Sequence, residues 1–391
     1  MSSPSPAWGR IAVSAYGPTG LASLGAGAIA PLIALSARDL GASYGLAAFI
    51  TALLGTGQLA GDIPAGLLAQ RLGERWAIVI ACVVESAALL AAYRSHSLTT
   101  LSVAVLVVGM SAAVFGLARQ TYLTEAAPLR YRARALSTLG GVYRTGALIG
   151  PLAGAAIVSR HGLPAAYGFA ALVSLLAGAI SLGLPDLPGD RAGRQAGRQR
   201  LLRVLRRHAR TYATQGVGAL AMTLVRSARQ AVIPLWCAWN GLSAAHTSLI
   251  YALSMSFDVA LFFVGGILMD RFGRLWVSAP CLVVMGTAMI LLPLSHSTAE
   301  IALAASLLGL GNGVSAGVVM TIGSDASPSE ARTTFLAGWR LMSDGGSMLG
   351  PVVISAISAV APLAVAPVAV GVLGLGGAAW LVKWLPRRPV A

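Results

Sequence analysis

Residues Gly66–Gly73 read GLLAQRLG, and residues Gly266–Gly273 read GILMDRFG. The two octapeptides stand 200 residues apart and share both glycines, a leucine and an arginine. The same offset lays Glu125, Pro128 and Arg132 over Asp325, Pro328 and Arg332, and Gly146, Gly150 and Pro151 over Gly346, Gly350 and Pro351. Three separate motifs in one register mark a chain built as two parallel copies of one unit.

Outward from these motifs the sequence is apolar. Of its 391 residues 56% are hydrophobic and 10% charged, and the mean hydropathy is +0.76. Soluble domains carry about 25% charged residues, so an ordinary soluble protein and a disordered one are both excluded. The runs are long and unbroken, without the alternation of a β-barrel strand, and a spanning helix needs about 20 apolar residues. The expected fold is an all-α membrane protein of twelve transmembrane helices. Spans are predicted near 11–35, 44–69, 76–94, 98–123, 135–159, 164–184, 211–238, 243–269, 276–295, 298–322, 333–359 and 362–385. They group into two pseudo-symmetric six-helix bundles, 1–184 and 211–391, joined by a basic linker, 185–210. The first apolar stretch, Ile11–Leu35, is too long for a cleavable signal and reads as a span.

The net charge of +15 comes almost wholly from arginine, Lys383 being the sole lysine. Arg71, Arg75, Arg130, Arg132, Arg134, the linker arginines, Arg271, Arg274, Arg332, Lys383, Arg387 and Arg388 fall on one set of connections, against little more than Arg38, Arg94 and Arg160 on the other. The positive-inside rule makes the first set cytoplasmic, with both termini inside. Without a soluble domain to present this charge, nucleic acid is not an expected partner. The linker reads as a solvated connection with a short amphipathic helix near Leu201–Arg207; contact with anionic headgroups is the alternative. Cys82, Cys237 and Cys281 lie far apart in apolar runs and read as packing residues. No Ser-His-acid set, metal-ligand spacing or phosphate-binding loop is present in the sequence. The chain is therefore read as no enzyme, with no metal and no cofactor, and an ion gradient as its energy source.

On these residues the chain resembles the major facilitator superfamily, twelve-span class, over essentially its whole length. That family's loop signature, G-x-x-x-D-R-x-G-R, is intact at Gly266, Asp270, Arg271, Gly273 and Arg274. The first copy keeps Gly66, Arg71 and Gly73 but has Gln70 for the acid and Glu74 for the final base. The resemblance implies that these residues gate the inner side, and that the chain works as a monomer. The fifth span carries Gly146, Gly150, Pro151 and Gly154, similar to the signature of drug/proton antiporters. The resemblance implies that this glycine face lets the fifth span pack closely on the eighth.

Charged side chains inside spans cost about 2.5–3.5 kcal/mol each on insertion scales, so they mark cavities or partners. The candidates for proton or substrate handling are Asp62, Glu85, Arg144, Arg226, Arg229, Asp258, Arg340 and Asp344. At 1.5 Å per residue, Asp62 and Arg340 lie about 10–12 Å above their helix ends and Arg144 and Asp258 about 15–18 Å. The resemblance implies that the second span packs on the eleventh and the fifth on the eighth, and with it these depths suggest pairing of Asp62 with Arg340 and of Arg144 with Asp258, made in one conformation and broken in another. Arg226 and Arg229 share a face of the seventh span and suit an anionic or zwitterionic group; neutralisation by Asp258 and Asp344 is the alternative. Tyr16, Tyr143, Trp236, Trp239 and Trp339 are candidate cavity aromatics.

The expected function is secondary active transport by alternating access, with protons and a small molecule as partners within the lipid bilayer. Proton-coupled efflux of small amphipathic compounds leads. Proton-coupled import of a small anionic or zwitterionic metabolite is the alternative, and a lipid flippase or non-transporting scaffold is the reading from another class. High Ala, Gly and Arg with one Lys fit a GC-rich bacterium, and so a bacterial inner membrane.

Overall fold

The computed structural model describes residues 8–127, 131–185, 203–328 and 332–386; side chains at 8–15, 63, 70, 132–134 and 333 are not described. Linker residues 186–202, Pro128, Arg130, Arg387 and Arg388, and the side chains of Gln70, Arg132 and Arg134, therefore lie outside the described residues.

Among the described residues the chain is helical and has no strand. Its long helices are α1 (Trp8–Ile29), α2 (Leu32–Asp39), α3 (Tyr44–Leu72), α4 (Glu74–Tyr93), α5 (Leu98–Ala126), α6 (Arg132–His161) and α7 (Pro164–Ser181). After a helical stretch at 203–211 and a π-turn at Tyr212–Gly216 come α8 (Val217–Trp239), α9 (Ala244–Phe272), α10 (Leu275–Leu291), α11 (Thr298–Val314), α12 (Val318–Ala326), α13 (Arg332–Val360) and α14 (Val365–Trp384). Every expected span finds a helix. Two are split: the first at Pro31, whose ring removes a backbone donor, and the tenth between α11 and α12. Among the described residues, nine helical segments qualify by length and apolarity as membrane spans, α11 and α12 counting together, and ten if α1 and α2 count as one. Of the helices longer than 22 residues, α8 and α13 do not qualify; they carry Arg226 with Arg229 and Arg340 with Asp344.

The duplication extends to the joints. Gly73 and Gly273 end α3 and α9 with φ of +86° and +92°, and Gly41 and Gly241 take φ of +86° and +73° ahead of the following helices. Side chains other than glycine are strained there. Ser97 and Ser297 cap α5 and α11; the second cap is a full capping box in which the Glu300 carboxylate accepts back from the Ser297 backbone N–H.

Two compact units emerge, Met1–Leu32 with Thr56–Arg191, and Ile33–Gly55 with Ala192–Ala391. The expected bundles kept 33–55 with the first six spans. Small residues account for the difference: added Cβ atoms on Gly45 and Gly55 would lie 3.0 Å from Ala359 N and 3.3 Å from Met348 Cα of α13.

Within the first unit, α6 lies against α1 through glycine. A Cβ on Gly150 would come within 2.6 Å of Gly27 Cα, and one on Gly154 within 2.7 Å of Ala28 O. The glycine face of α6 thus packs on α1. In the second unit the same device recurs: a Cβ on Gly346 would strike Thr223 and one on Gly350 would strike Ser227, joining α13 to α8. Around these crossings lie a core of Ile78, Phe115, Tyr122 and Leu184 in the first unit and fully buried Phe335 and Trp339 in the second.

At the far end of α8, the Trp236 Nε1 donates to Ser295 O at 3.0 Å. Its ring stacks near-parallel to Trp239, with centroids 6.5 Å apart and planes inclined by 16°. Tyr44 tilts against Trp239 at 5.3 Å. Trp339 Nε1 donates to Val319 O at 2.8 Å. Trp236 and Trp339, residues that could equally line a cavity or pack helices, are buried and hydrogen-bonded.

Candidate functional site

The polar core of the second unit is built by α8, α9 and α11. Glycines let α11 approach α9: Cβ atoms on Gly309 and Gly313 would run into Ser254 O and Asp258 O. That contact places the Asp258 carboxylate beside Asn312, whose Nδ2 donates to Asp258 Oδ2. From α8, Arg229 reaches the same carboxylate, its Nη2 3.6 Å from Asp258 Oδ2. Its Nη1 donates to Ser254 Oγ at 3.1 Å, and its guanidinium carbon stands 5.9 Å from the centroid of the Tyr251 ring. Arg229 is 3% exposed and Asp258 5%. An arginine and an acid withdrawn from solvent this far hold their charges only because each compensates the other.

One turn away, Arg226 meets the break between α11 and α12. Ser315 O, already accepting from Val318 N, receives Arg226 Nη2 at 3.0 Å, and Ser315 Oγ lies 3.1 Å from the same nitrogen. The interrupted tenth span thus supplies a carbonyl to a cation, which an unbroken helix would keep internal. Arg226, Arg229 and Asp258 sum formally to one positive charge. Arg229 Nε and Asn312 Oδ1 are buried without a hydrogen-bond partner among the described residues, a donor and an acceptor that a small polar guest can engage.

The remaining candidates are spread out. Arg340 Nε lies 3.3 Å from Asp344 Oδ2 one turn on, with side chains 47% and 31% exposed, so Asp344 neutralises a neighbour on its own helix and not the α8 arginines. Asp62 and Arg144 are half-buried in the first unit. Glu85 is buried between α4 and α7, where Ser174 Oγ lies 2.7 Å from its Oε2 and 3.2 Å from Cys82 O. Arg119, on α5, lies over Phe115 and Tyr143 at 5.4 and 5.7 Å. It borders a hollow with Pro18, Ile78, Tyr122, Ser181 and Leu184 that has room for about one water. Among the described residues, no group of three or more His, Cys, Asp or Glu is placed to hold a metal.

In the second loop motif Arg274 Nε donates to Asp325 Oδ2 at 2.8 Å, and Nη1 to Met269 O at 3.3 Å. Asp270 is exposed and bonds to none of the described residues, while Arg271 lies 5.4 Å from the centroid of its neighbour Phe272. Asp325 had been visible only as a repeat match, not as a partner. Asn312, Ser254, Ser315 and Tyr251 were also missed; polar but uncharged, they carry no signal until the helices are assembled.

The family model of the Major Facilitator Superfamily matches residues 19–238 and 215–391. Solved structures align over nearly the full length. The nucleoside transporter NupG is 13% identical with a TM-score of 0.77, covering 96% of this chain and 99% of its own. The D-xylose-proton symporter is 15% identical with a TM-score of 0.75, covering 98% and 100%. A bacterial homolog of the human lysosomal transporter Spinster, inward-facing and unoccupied, is 15% identical with a TM-score of 0.76, covering 97% and 96%. No curated protein sequence matches significantly. At these identities the structures speak for the fold; the family match over both repeats makes this chain a member of the Major Facilitator Superfamily, a multi-pass membrane transporter and not an enzyme.

Proposed function

We propose that the chain is a proton-coupled secondary transporter in which Asp258 exchanges its ion pair with Arg229 for a proton during the transport cycle. The observation that carries this reading is the buried Arg229–Asp258–Asn312 cluster on three helices of one unit. A carboxylate bonded to arginine holds α8 and α9 together; once protonated it releases the guanidinium to a guest. Such an exchange is the two-state element that alternating access needs. With Arg226 beside it, the released cation favours a substrate with an anionic or zwitterionic group, and hence uptake of a small metabolite. The substrates named for the structurally similar proteins, a nucleoside and D-xylose, are likewise small and polar.

Efflux of amphipathic compounds is the second reading, favoured by Gly146, Gly150, Pro151 and Gly154. Most of that pattern recurs at Gly346, Gly350 and Pro351, where it serves helix packing, so it weighs less than the charge cluster. The arginine-rich connections favour a location with both termini inside, the composition favours a bacterial inner membrane, and the family resemblance favours a working monomer.

The test is proton movement in proteoliposomes loaded with a pH-sensitive dye. Anionic, zwitterionic, neutral and cationic compounds are added to wild type and to Asp258→Asn. Wild type is expected to move protons with a compound of the first two classes, and the sign of the dye change gives the direction. Asp258→Asn should lose that proton movement while still exchanging labelled substrate at equal pH. Full proton coupling in Asp258→Asn would overturn the assignment.

A further inference from the structure

The start of the second unit presents a charged face outside the Arg229–Asp258–Asn312 cluster. Residues 203–207 and 209–211 are helical, and the bonds from His208 N to Val204 O (3.0 Å) and from Tyr212 N to His208 O (3.2 Å) carry the helix through His208. At 100° per residue, Arg203, Arg206, Arg207 and Arg210 fall within an arc of about 100°. Leu205 points the other way and docks on α13, where a Cβ on Gly338 would lie 2.7 Å from its Cδ2. All four arginine side chains are exposed, and none of the four guanidinium groups has a hydrogen bond or ion pair among the described residues.

The end of α14 lies alongside. Trp380 Nε1 donates to Thr214 O at 2.8 Å, and Thr214 Oγ1 donates to Arg210 O at 2.7 Å. One turn beyond Trp380 on α14 come Lys383 and Trp384, at the level of Arg210. Lys383 is exposed, its Nζ 5.3 Å from the centroid of the Trp384 ring. Neither 203–216 nor 376–386 contains an Asp or Glu. Five cations without a local acid stand beside two tryptophans, the residue type that settles at the headgroup level of a bilayer.

We propose that this face is a binding site for the headgroup of an anionic phospholipid, with Arg206, Arg207 and Arg210 as the principal phosphate ligands and Lys383 and Trp384 as its flank. Guanidinium groups bind phosphate oxygens in bidentate fashion, and the bilayer delivers that phosphate at the depth the tryptophans mark. Because Leu205 is seated on α13 and the chain runs straight on into α8, a lipid held here ties the linker's end to the transport helices.

The experiment is native mass spectrometry of the full-length protein released from micelles containing equal phosphatidylglycerol and phosphatidylcholine of matched chains. Wild type is expected to retain phosphatidylglycerol preferentially. The R206Q/R207Q/R210Q variant should lose at least about tenfold of that preference, each arginine near a charged surface being worth about fivefold. R206K/R207K/R210K should keep most of it, and R71Q/R271Q, which removes two exposed loop arginines elsewhere, should leave it unchanged. Matching thermal unfolding midpoints certify folding. An undiminished preference in the glutamine variant, an equal loss in R71Q/R271Q, or its full loss in the lysine variant would each overturn the site.

Discussion

Two copies of one helical plan have been put to different chemical use. Gly150 and Gly350 carry α6 onto α1 and α13 onto α8 by the same close approach, and Gly73 and Gly273 end equivalent helices with the same positive φ. The polar core is not shared. Arg229, Asp258 and Asn312 correspond at the 200-residue offset to Ile29, Gln58 and Ala112, and Arg226 and Ser315 to Ala26 and Phe115. The tenth span breaks at Ser315, whereas α5 runs unbroken past Phe115. Even the loop clamp diverges: Arg274 pairs with Asp325, while the equivalent Glu74 and Glu125 share one sign. Backbone geometry has been kept in duplicate because both bundles need it, whereas the Arg229–Asp258–Asn312 cluster has no counterpart at the equivalent positions of the first.

That contrast is open to direct attack. The largest effect is expected at the buried pair. Asp258→Ala leaves Arg229 buried and uncompensated and should cost about 3–5 kcal/mol in reversible unfolding of the purified protein. Gln58→Ala, at an exposed position, should stay within about 0.5 kcal/mol, and Arg229→Leu with Asp258→Leu should recover most of the loss. Equal costs at 58 and 258 would dissolve the distinction between the units.

A smaller effect tests what the copies share. Gly150→Ala and Gly350→Ala each force a methyl into facing backbone and should each cost about 1–3 kcal/mol, in line with overpacking elsewhere. One variant tolerated and the other not would show that the crossings are alike in outline only. The smallest effect belongs to the loop. A double-mutant cycle on Arg274 and Asp325, partly exposed at 20% and 28%, should give about 0.2–1 kcal/mol and shrink as salt rises. The matching cycle on Glu74 and Glu125 should give zero or an unfavourable coupling; a favourable one would mean the clamp is duplicated after all.

The helical spans and the internal repeat were legible because hydropathy and glycine spacing are local properties. Arg226, Arg229 and Asp258 were legible as costly charges in apolar runs, and neutralisation of the arginines by Asp258 was one of two readings that the sequence left open. Depth along separate helices cannot choose between them, because it says nothing of azimuth. The close approach of α9 and α11, set by Gly309 and Gly313, decides that Asp258 faces Asn312 and Arg229. The partner of Arg274 was illegible for a related reason: an arginine at a helix end has several acids within sequence reach, and only the fold selects Asp325. The placement of 33–55 was hidden as well, because Gly45 and Gly55 look like any small residues until α13 lies against them.

The stacked indoles at the end of α8 have a spectroscopic consequence. Trp236 and Trp239, 6.5 Å apart and inclined by 16°, are close enough for their electronic transitions to mix, so their ultraviolet circular dichroism reports the geometry of the pair and not of two isolated rings. Tyr44 rests on the same pair at 5.3 Å. The molecule thus carries, without any added label, an optical gauge of how the segment 33–55 is held against the helix that bears the buried arginines.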